Sequence, residues 1–191
     1  MDRISANQHG GKANVDHALL TQLAKIGKFK SLLDVGCGPG QNVDCATALG
    51  FAAFGADGDR SVLPNRPNFE HVDYRLRCSN FPAPIDIGWS VEFAEHIPEA
   101  YIENFMKDYA KCKMIIFTAA PPGWGGLGHV NEQPPEYWIE KFNMFGMKFQ
   151  SKLTNKIRSA SILIRDGVTR WDKKQFIRNR GLVFTNNRQL S

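Results

Sequence analysis

Ser31-Leu32-Leu33-Asp34-Val35-Gly36-Cys37-Gly38-Pro39-Gly40 runs a strand of the buried type straight into three glycines at alternate positions. The spacing predicts a bare backbone turn at the carboxyl end of a first strand, which is where open α/β sheets bind their ligands. Glycine at 36, 38 and 40 removes side chains that would block a nucleoside and permits positive φ. A dinucleotide turn of the form G-x-G-x-x-G needs its third glycine at position 41. Gln41 stands there instead, and Pro39 stiffens the turn. The plainer reading of the same letters is a tight strand-to-helix turn that holds no ligand.

The 191 residues suffice for one domain with a proper core and are few for two, so 1–191 is read as a single domain. With 42% apolar and 23% charged residues, the chain is neither disordered nor fibrous in composition. No apolar run reaches membrane length, and Met1-Asp2-Arg3-Ile4-Ser5 does not begin a signal-peptide core. Cys37, Cys45, Cys78 and Cys112 form no C-x-x-C pair and read as reduced thiols of a cytoplasmic protein. The net charge of +5 is uneven: residues 152–191 hold ten Lys/Arg and two Asp/Glu, whereas residues 1–151 hold fourteen and seventeen. The tail is either a phosphate-facing surface, for nucleic acid or a phosphorylated small molecule, or the solvated exterior of a C-terminal hairpin.

Asn14 is placed to cap a helix over 15–26, with Leu19, Leu20, Leu23 and Ile26 at helical spacing. Strands are expected over 31–35, 51–57, 69–73, 85–91 and 113–118. Helices are expected over 41–49, after Pro98 with Ile102, Phe105, Met106 and Tyr109 as its apolar stripe, and over 135–145. This alternation implies a parallel sheet covered on both faces. The Gly- and Pro-rich run from Ala120 to Pro135 is long for a plain connection and reads as a functional loop. Phe149–Leu153 and Leu182–Thr185 read as strands, with an amphipathic or irregular basic segment between them. Residues 1–13 are polar and glycine-bearing, hence loosely ordered unless they close over a ligand.

Asp34-Val35-Gly36-Cys37-Gly38-Pro39-Gly40 closely resembles motif I of class I S-adenosylmethionine (SAM)-dependent methyltransferases. The resemblance covers about 30–150. It implies a Rossmann-like, seven-stranded, mostly parallel α/β sheet with helices on both faces, ending on a C-terminal antiparallel hairpin made by the last two strands, in an order the sequence leaves open. It implies SAM as cofactor, with Asp34, Gly36, Cys37, Gly38 and Gly40 on the motif, Asp73 beside the adenine, and Ser90 or Val91 bordering the methionine part. Asp57 ends the second strand, where an acidic group can accept hydrogen bonds from both ribose hydroxyls. Asp59 is its rival, and Gly55-Ala56-Asp57 matches the family's strand ending better. Either aspartate also reads as a loop cap.

Glu92, Glu95 and His96 stand at i, i+3 and i+4, so in a helical turn all three point one way. Glu-x-x-Glu-His is similar to a motif of ubiquinone-pathway O-methyltransferases and of 3′-terminal 2′-O-methyltransferases of small RNAs. In both, that motif and a downstream histidine go with a divalent metal that holds the acceptor oxygens. His129 is the downstream candidate here, making Glu92, Glu95, His96 and His129 the metal-ligand set. Two imidazoles favour Mn²⁺, Fe²⁺, Co²⁺ or Zn²⁺ over Mg²⁺. His129, His96 and Glu95 are also the candidate catalytic residues, the imidazoles suiting proton removal when no metal is bound. The plainer reading makes Glu95 and His96 hydrogen-bonded loop residues and His129 a loop anchor. The loop from Pro121 to Gly128 is suited to closing over the site with Trp124 as its cover, or is a surface loop with an incidental Trp. Tyr137 is a candidate acceptor contact and Trp138 reads as core. The expected activity is O-methylation of a small-molecule or sugar acceptor, with no membrane partner. The alternatives are RNA 2′-O-methylation through the basic tail and a SAM-binding partner protein without transfer activity.

Overall fold

A computed structural model describes residues 14–165, 168–169 and 174–186. The expectation of a closing segment over 1–13 lies outside these residues, as do parts of the basic tail. The strands are β1 (Ser31–Val35), β2 (Ala52–Asp57), β3 (Phe69–His71), β4 (Ile85–Val91), β5 (Cys112–Thr118), β6 (Met147–Phe149), β7 (Ile164–Arg165), β8 (Val168–Thr169) and β9 (Leu182–Asn186). Seven of them form one sheet in the order β3-β2-β1-β4-β5-β9-β6. The first five are parallel, and β9 runs antiparallel between β5 and β6. The expected mostly parallel sheet with an antiparallel C-terminal pair is therefore what the chain forms, and the open question of order resolves with β9 inside and β6 at the edge. β7 and β8 make a separate two-stranded ribbon that the sequence reading did not anticipate.

Buried side chains leave both faces of the sheet, as its near-continuous apolar strands require. On one face Leu33, Val35, Ile115 and Phe117 pack with Phe105, Tyr109, Trp138 and Phe142 from α3 (Ile102–Tyr109) and α4 (Pro135–Met144). On the other, Leu32, Ile87, Ile116 and Val183 pack with residues of α1 (His17–Ile26), α2 (Gln41–Ala48), α5 (Ser151–Ala160) and α6 (Phe176–Arg180). No helix among the described residues is long and apolar enough to cross a membrane.

Three local expectations are corrected. Asp16, not Asn14, caps α1: its Oδ1 accepts the Leu19 N–H at 3.0 Å. The same carboxylate takes the Ser161 hydroxyl and the Ile162 N–H, so a tie to the end of α5 selects the cap. β3 ends at His71 rather than Asp73, which opens a turn closed by Leu76 N–H on the Asp73 carbonyl at 2.9 Å. The strand expected over 149–153 is the end of β6 followed by α5, in which Leu153, Ile157 and Ala160 recur at helical spacing against the second layer.

A buried carboxylate holds the crossover between β3 and β4 against α3. Asp108 is 0% exposed and accepts from Tyr74 Oη at 2.8 Å, Ser79 N at 3.0 Å, Ser79 Oγ at 2.7 Å and Lys111 Nζ at 2.8 Å. Asp108→Ala leaves those donors without their shared acceptor and is expected to cost about 3–5 kcal/mol in urea unfolding. Glu103→Ala, which removes an exposed pair with Lys107, is expected to leave the urea midpoint unchanged.

Candidate functional site

β1 pairs with β2 on one side and β4 on the other, so the direction of strand addition reverses at β1 and a crevice opens at the carboxyl ends. The glycine turn lies there. Gly36 and Cys37 both donate their N–H to the Ala56 carbonyl, at 2.8 and 3.2 Å, which stitches the turn to β2. Gly36 has φ 79°, and a Cβ on it would meet the Phe93 ring at 2.4 Å, so no side chain fits. Asp57 Oδ2 accepts the Gly38 N–H and Oδ1 the Asp59 N–H, each at 2.7 Å. Its rival Asp59 instead accepts from Ser61 N and Oγ, at 2.9 and 2.6 Å, within its own loop. Burial raises the Asp57 pKa, and these two amide bonds oppose the rise.

Asp34 is 2% exposed, its Oδ2 has no hydrogen-bond partner among the described residues, and burial together with the nearby Asp57 pushes its pKa up to about 8 against the opposing bond from Asn42. The Cys37 thiol is buried, and a Cβ added to Gly55 would lie 2.8 Å from its Sγ, so the side chain packs while its backbone shapes the turn. The buried Ser90 hydroxyl donates to the Val35 carbonyl at 2.9 Å and ties β4 to β1. Asp73 takes Arg75 on both carboxylate oxygens, at 2.8 and 2.5 Å, and this bond lowers its pKa. The structure thus gathers Asp34, Gly36, Cys37, Gly38, Gly40 and Asp57 at one turn, places Ser90 one strand away, and engages Asp73 with the following turn.

After β4 the chain does not form the single helical turn that would align Glu92 with Glu95 and His96. Glu92 has φ 56°, the one positive value outside glycine among the described residues, and a 3₁₀ turn over Ala94–His96 follows. Glu95, His96 and His129 come together, with one donor atom from each lying within 4.8 Å of the others. The loop after β5 is strapped down to achieve this. Val130 and Asn131 N–H both donate to the Glu95 carbonyl, at 2.9 and 3.0 Å, and Asn131 Nδ2 donates to the Ile97 carbonyl at 3.1 Å. His96 Nδ1 lies 3.2 Å from the Gly128 carbonyl, and His129 Nδ1 lies 2.6 Å from Glu132 Oε1. Both partners are acceptors, so Nδ1 is the donor in each contact.

The Glu95 carboxylate is 0% exposed and takes no side-chain hydrogen bond among the described residues, while the backbone N–H groups of Glu95 and Ala120 act on it as donors. Burial, with Glu92 adding a like charge, pushes its pKa up to about 8. A carboxylate and two imidazoles form a mixed N/O donor set. The same His129–Glu132 pair can orient a general base.

Glu92 engages other groups. Its Oε1 accepts the Thr118 hydroxyl at 2.8 Å, and its carboxylate forms an ion pair with Arg180, whose Nε lies 3.3 Å from Oε1. Arg180 in turn stacks 4.0 Å above the Trp124 ring and 4.9 Å from that of Phe176. Beside it lies a cavity of about 60 Å³ whose lining includes Phe117, Pro121, Gln133 and Trp138. Trp138 is 2% exposed, consistent with its reading as core, while the Tyr137 hydroxyl donates to Glu99 at 2.8 Å. Sequence reasoning missed Glu132, although its i+3 spacing from His129 was a usable signal. It also missed Arg180, for which no local signal existed.

This arrangement is the fold of SAM-dependent methyltransferases: a seven-stranded sheet with an antiparallel last pair and helices on both faces. No protein-family model matches the chain, and no curated protein matches it. Among solved structures, it is similar to the sugar N-methyltransferase KedS8 from Streptoalloteichus, with TM-score 0.64 and 10% identity over 97% of this chain and 95% of that one. It is also similar to magnesium protoporphyrin IX methyltransferase from Synechocystis, with TM-score 0.58 and 15% identity over 95% and 84% of the chains. A TehB-like methyltransferase from Corynebacterium glutamicum gives TM-score 0.57 and 14% identity over 95% and 93%.

Because the folded Asp34 holds its proton up to about pH 8, its contribution to stability is full below the unfolded carboxyl pKa and is lost as pH rises through about 8. Asp34→Asn is expected to gain on the wild type between pH 5 and 8, by at most about 1.4 kcal/mol per pH unit. Urea unfolding of both proteins across that range measures the difference. A wild type that gains on the variant as pH rises would contradict the assignment.

Proposed function

We propose that this chain is a SAM-dependent methyltransferase acting on an oxygen of a small-molecule or sugar acceptor, with a divalent cation held by Glu95, His96 and His129. The observation that carries this reading is the pairing of two constellations at one carboxyl edge. The Asp57-bound glycine turn follows β1 and β2, and the Glu95–His96–His129 cluster follows β4 and β5. SAM brings its methyl group on a sulfonium with a good leaving group already in place, so the protein must chiefly align oxygen, methyl carbon and sulfur and exclude water. Asp57 would exchange its amide partners for the ribose hydroxyls, keeping charge-assisted bonds throughout.

The donor set fits a cation, since a buried carboxylate without a side-chain partner among the described residues converges with two imidazoles within 4.8 Å. When bound, a cation of the Mn²⁺, Fe²⁺, Co²⁺ or Zn²⁺ type supplies Lewis acidity toward an acceptor hydroxyl. His129 can ligate or take the acceptor proton, not both at once. The buried Glu95 beside both rings favours ligation, because simple proton removal by His129 gives that carboxylate no role.

A second reading, an RNA acceptor, is favoured by charge: residues 151–160 and 174–186 hold six Lys/Arg and no Asp or Glu. Affinity for a short RNA that falls steeply with added salt would support it. SAM binding without turnover across a broad acceptor panel, with and without metals, would favour an inactive partner protein.

Titration calorimetry with SAM is expected to show binding that Asp57→Ala weakens by about tenfold or more, the range for losing hydrogen bonds to a charged group. Elemental analysis of protein purified without chelator is expected to show a bound divalent metal that His129→Ala loses. Equal metal content in the two proteins would remove the cation from the proposal.

A further inference from the structure

Arg180 joins three segments that are far apart in sequence. It pairs with Glu92 at the end of β4, covers Trp124 in the glycine-rich loop after β5, and lies against Phe176 in its own helix. The pair is largely enclosed, with side-chain exposures of 13% for Arg180 and 16% for Glu92. Glu92 is also fixed by reciprocal bonds with Thr118, donating its N–H to Oγ1 at 3.1 Å and accepting the hydroxyl proton at 2.8 Å. A left-handed backbone at a non-glycine residue persists only where surrounding contacts over-determine it, and such residues gather at functional sites.

We propose that Arg180 is a placeholder cation and a positioning residue: it holds Glu92 out of the Glu95–His96–His129 cluster and pins the Trp124 loop shut. This rests on the cation-binding reading of that cluster. Glu92 is three residues from Glu95 yet stands outside the cluster, its carboxylate engaged by Arg180 and Thr118. A divalent cation on Glu92 draws on the same negative charge that holds the guanidinium and so weakens the ion pair. Capture of Glu92 by the cation therefore loosens Arg180, and with it the ring that Arg180 covers. Glu132 ties the backbone of this loop, accepting the Gly123 and Gly125 N–H groups at 2.9 and 2.8 Å, while Arg180 ties the Trp124 side chain between them. The cavity beside Arg180 is about 60 Å³, whereas pockets for small ligands span about 300–1,000 Å³. Release of the pin is what makes room for an acceptor.

The experiment measures amide hydrogen exchange over 121–130 and Mn²⁺ affinity by calorimetry, in the wild type, Arg180→Gln and Arg180→Lys. The wild-type loop is expected to be protected without metal and to exchange at least fivefold faster at saturating Mn²⁺. Arg180→Gln is expected to show the faster exchange without metal and to bind Mn²⁺ about tenfold more tightly. Arg180→Lys keeps Glu92 paired but loses the planar face, so the loop should exchange faster while Mn²⁺ affinity stays within about threefold of wild type. Protection over β4 and β5 reports that each variant is folded, and Arg180→Lys serves should Arg180→Gln fail that check. Unchanged loop exchange in the folded variants would overturn the pin, and unchanged Mn²⁺ affinity in Arg180→Gln would overturn the competition for Glu92. If wild type and His129→Ala bind Mn²⁺ equally weakly, the cation reading fails and the competition falls with it. Exchange without metal still decides the pin in that case.

Discussion

The contact between Gly36 and the Phe93 ring couples the two halves of the site. A Cβ at position 36 would sit 2.4–2.6 Å from three carbons of that side chain, so the turn after β1 and the segment after β4 touch with no space between them. Phe93 is held from behind by edge-on contacts with Tyr74 and Phe105, at centroid distances of 5.3 and 5.6 Å. Phe105 belongs to α3, and Tyr74 is bonded through Asp108 to that same helix. The position of the glycine turn thus depends on the aromatic layer under α3, and the polypeptide from Glu92 to His96 takes its starting point from the same layer.

Beyond Phe93 the chain buries an acid that no side chain bonds among the described residues. Glu95 keeps its main chain engaged, since its carbonyl takes two N–H groups from the loop after β5, but its side-chain oxygens have only backbone N–H groups to oppose the cost of burial. An ionised carboxylate in that position is costly to bury, and two remedies exist: a proton or a cation. The rise of its pKa to about 8 expresses the first remedy. The two imidazoles beside it supply the means for the second, because metal binding to such a set displaces the proton. In the proposed function that burial cost is offset by the cation, whereas an acid buried in the core without such neighbours would only destabilise.

The sequence carried the sheet from β1 to β5 well because the information there is local: apolar runs of strand length, turn glycines, and an aspartate at the end of β2. Asp57 was legible for that reason. Where tertiary contacts chose between local options, the reading failed. Asn14 and Asp16 are both capable caps, and only the Ser161 contact distinguishes them. Leu153 fits a short strand until Ile157 and Ala160 are seen packing beside it. Glu92, Glu95 and His96 were aligned by assuming an unbroken turn, and the left-handed backbone at Glu92 divides them instead. That division depends on Thr118 and Arg180, 26 and 88 residues away.

Arg180 reaches the site because of the sheet's one reversal. β9 enters between β5 and β6 in the antiparallel sense, so its amino end lies at the edge where β4 and β5 have their carboxyl ends. The register pairs Leu182 with Phe117, one residue short of Thr118 and its partner Glu92. Whatever residue precedes β9 is therefore delivered to the reaction side of the crevice. The junction leaves little freedom: a Cβ on Gly181 would lie 2.6 Å from the Ile177 carbonyl oxygen, and the Gly181 carbonyl accepts Arg158 Nε at 2.8 Å. A basic helix that looks, in sequence, like part of a solvated tail is thus positioned by topology to place one guanidinium against the acid at the end of β4. Its charge has a local task there, distinct from whatever the remaining lysines and arginines of the segment do at the surface.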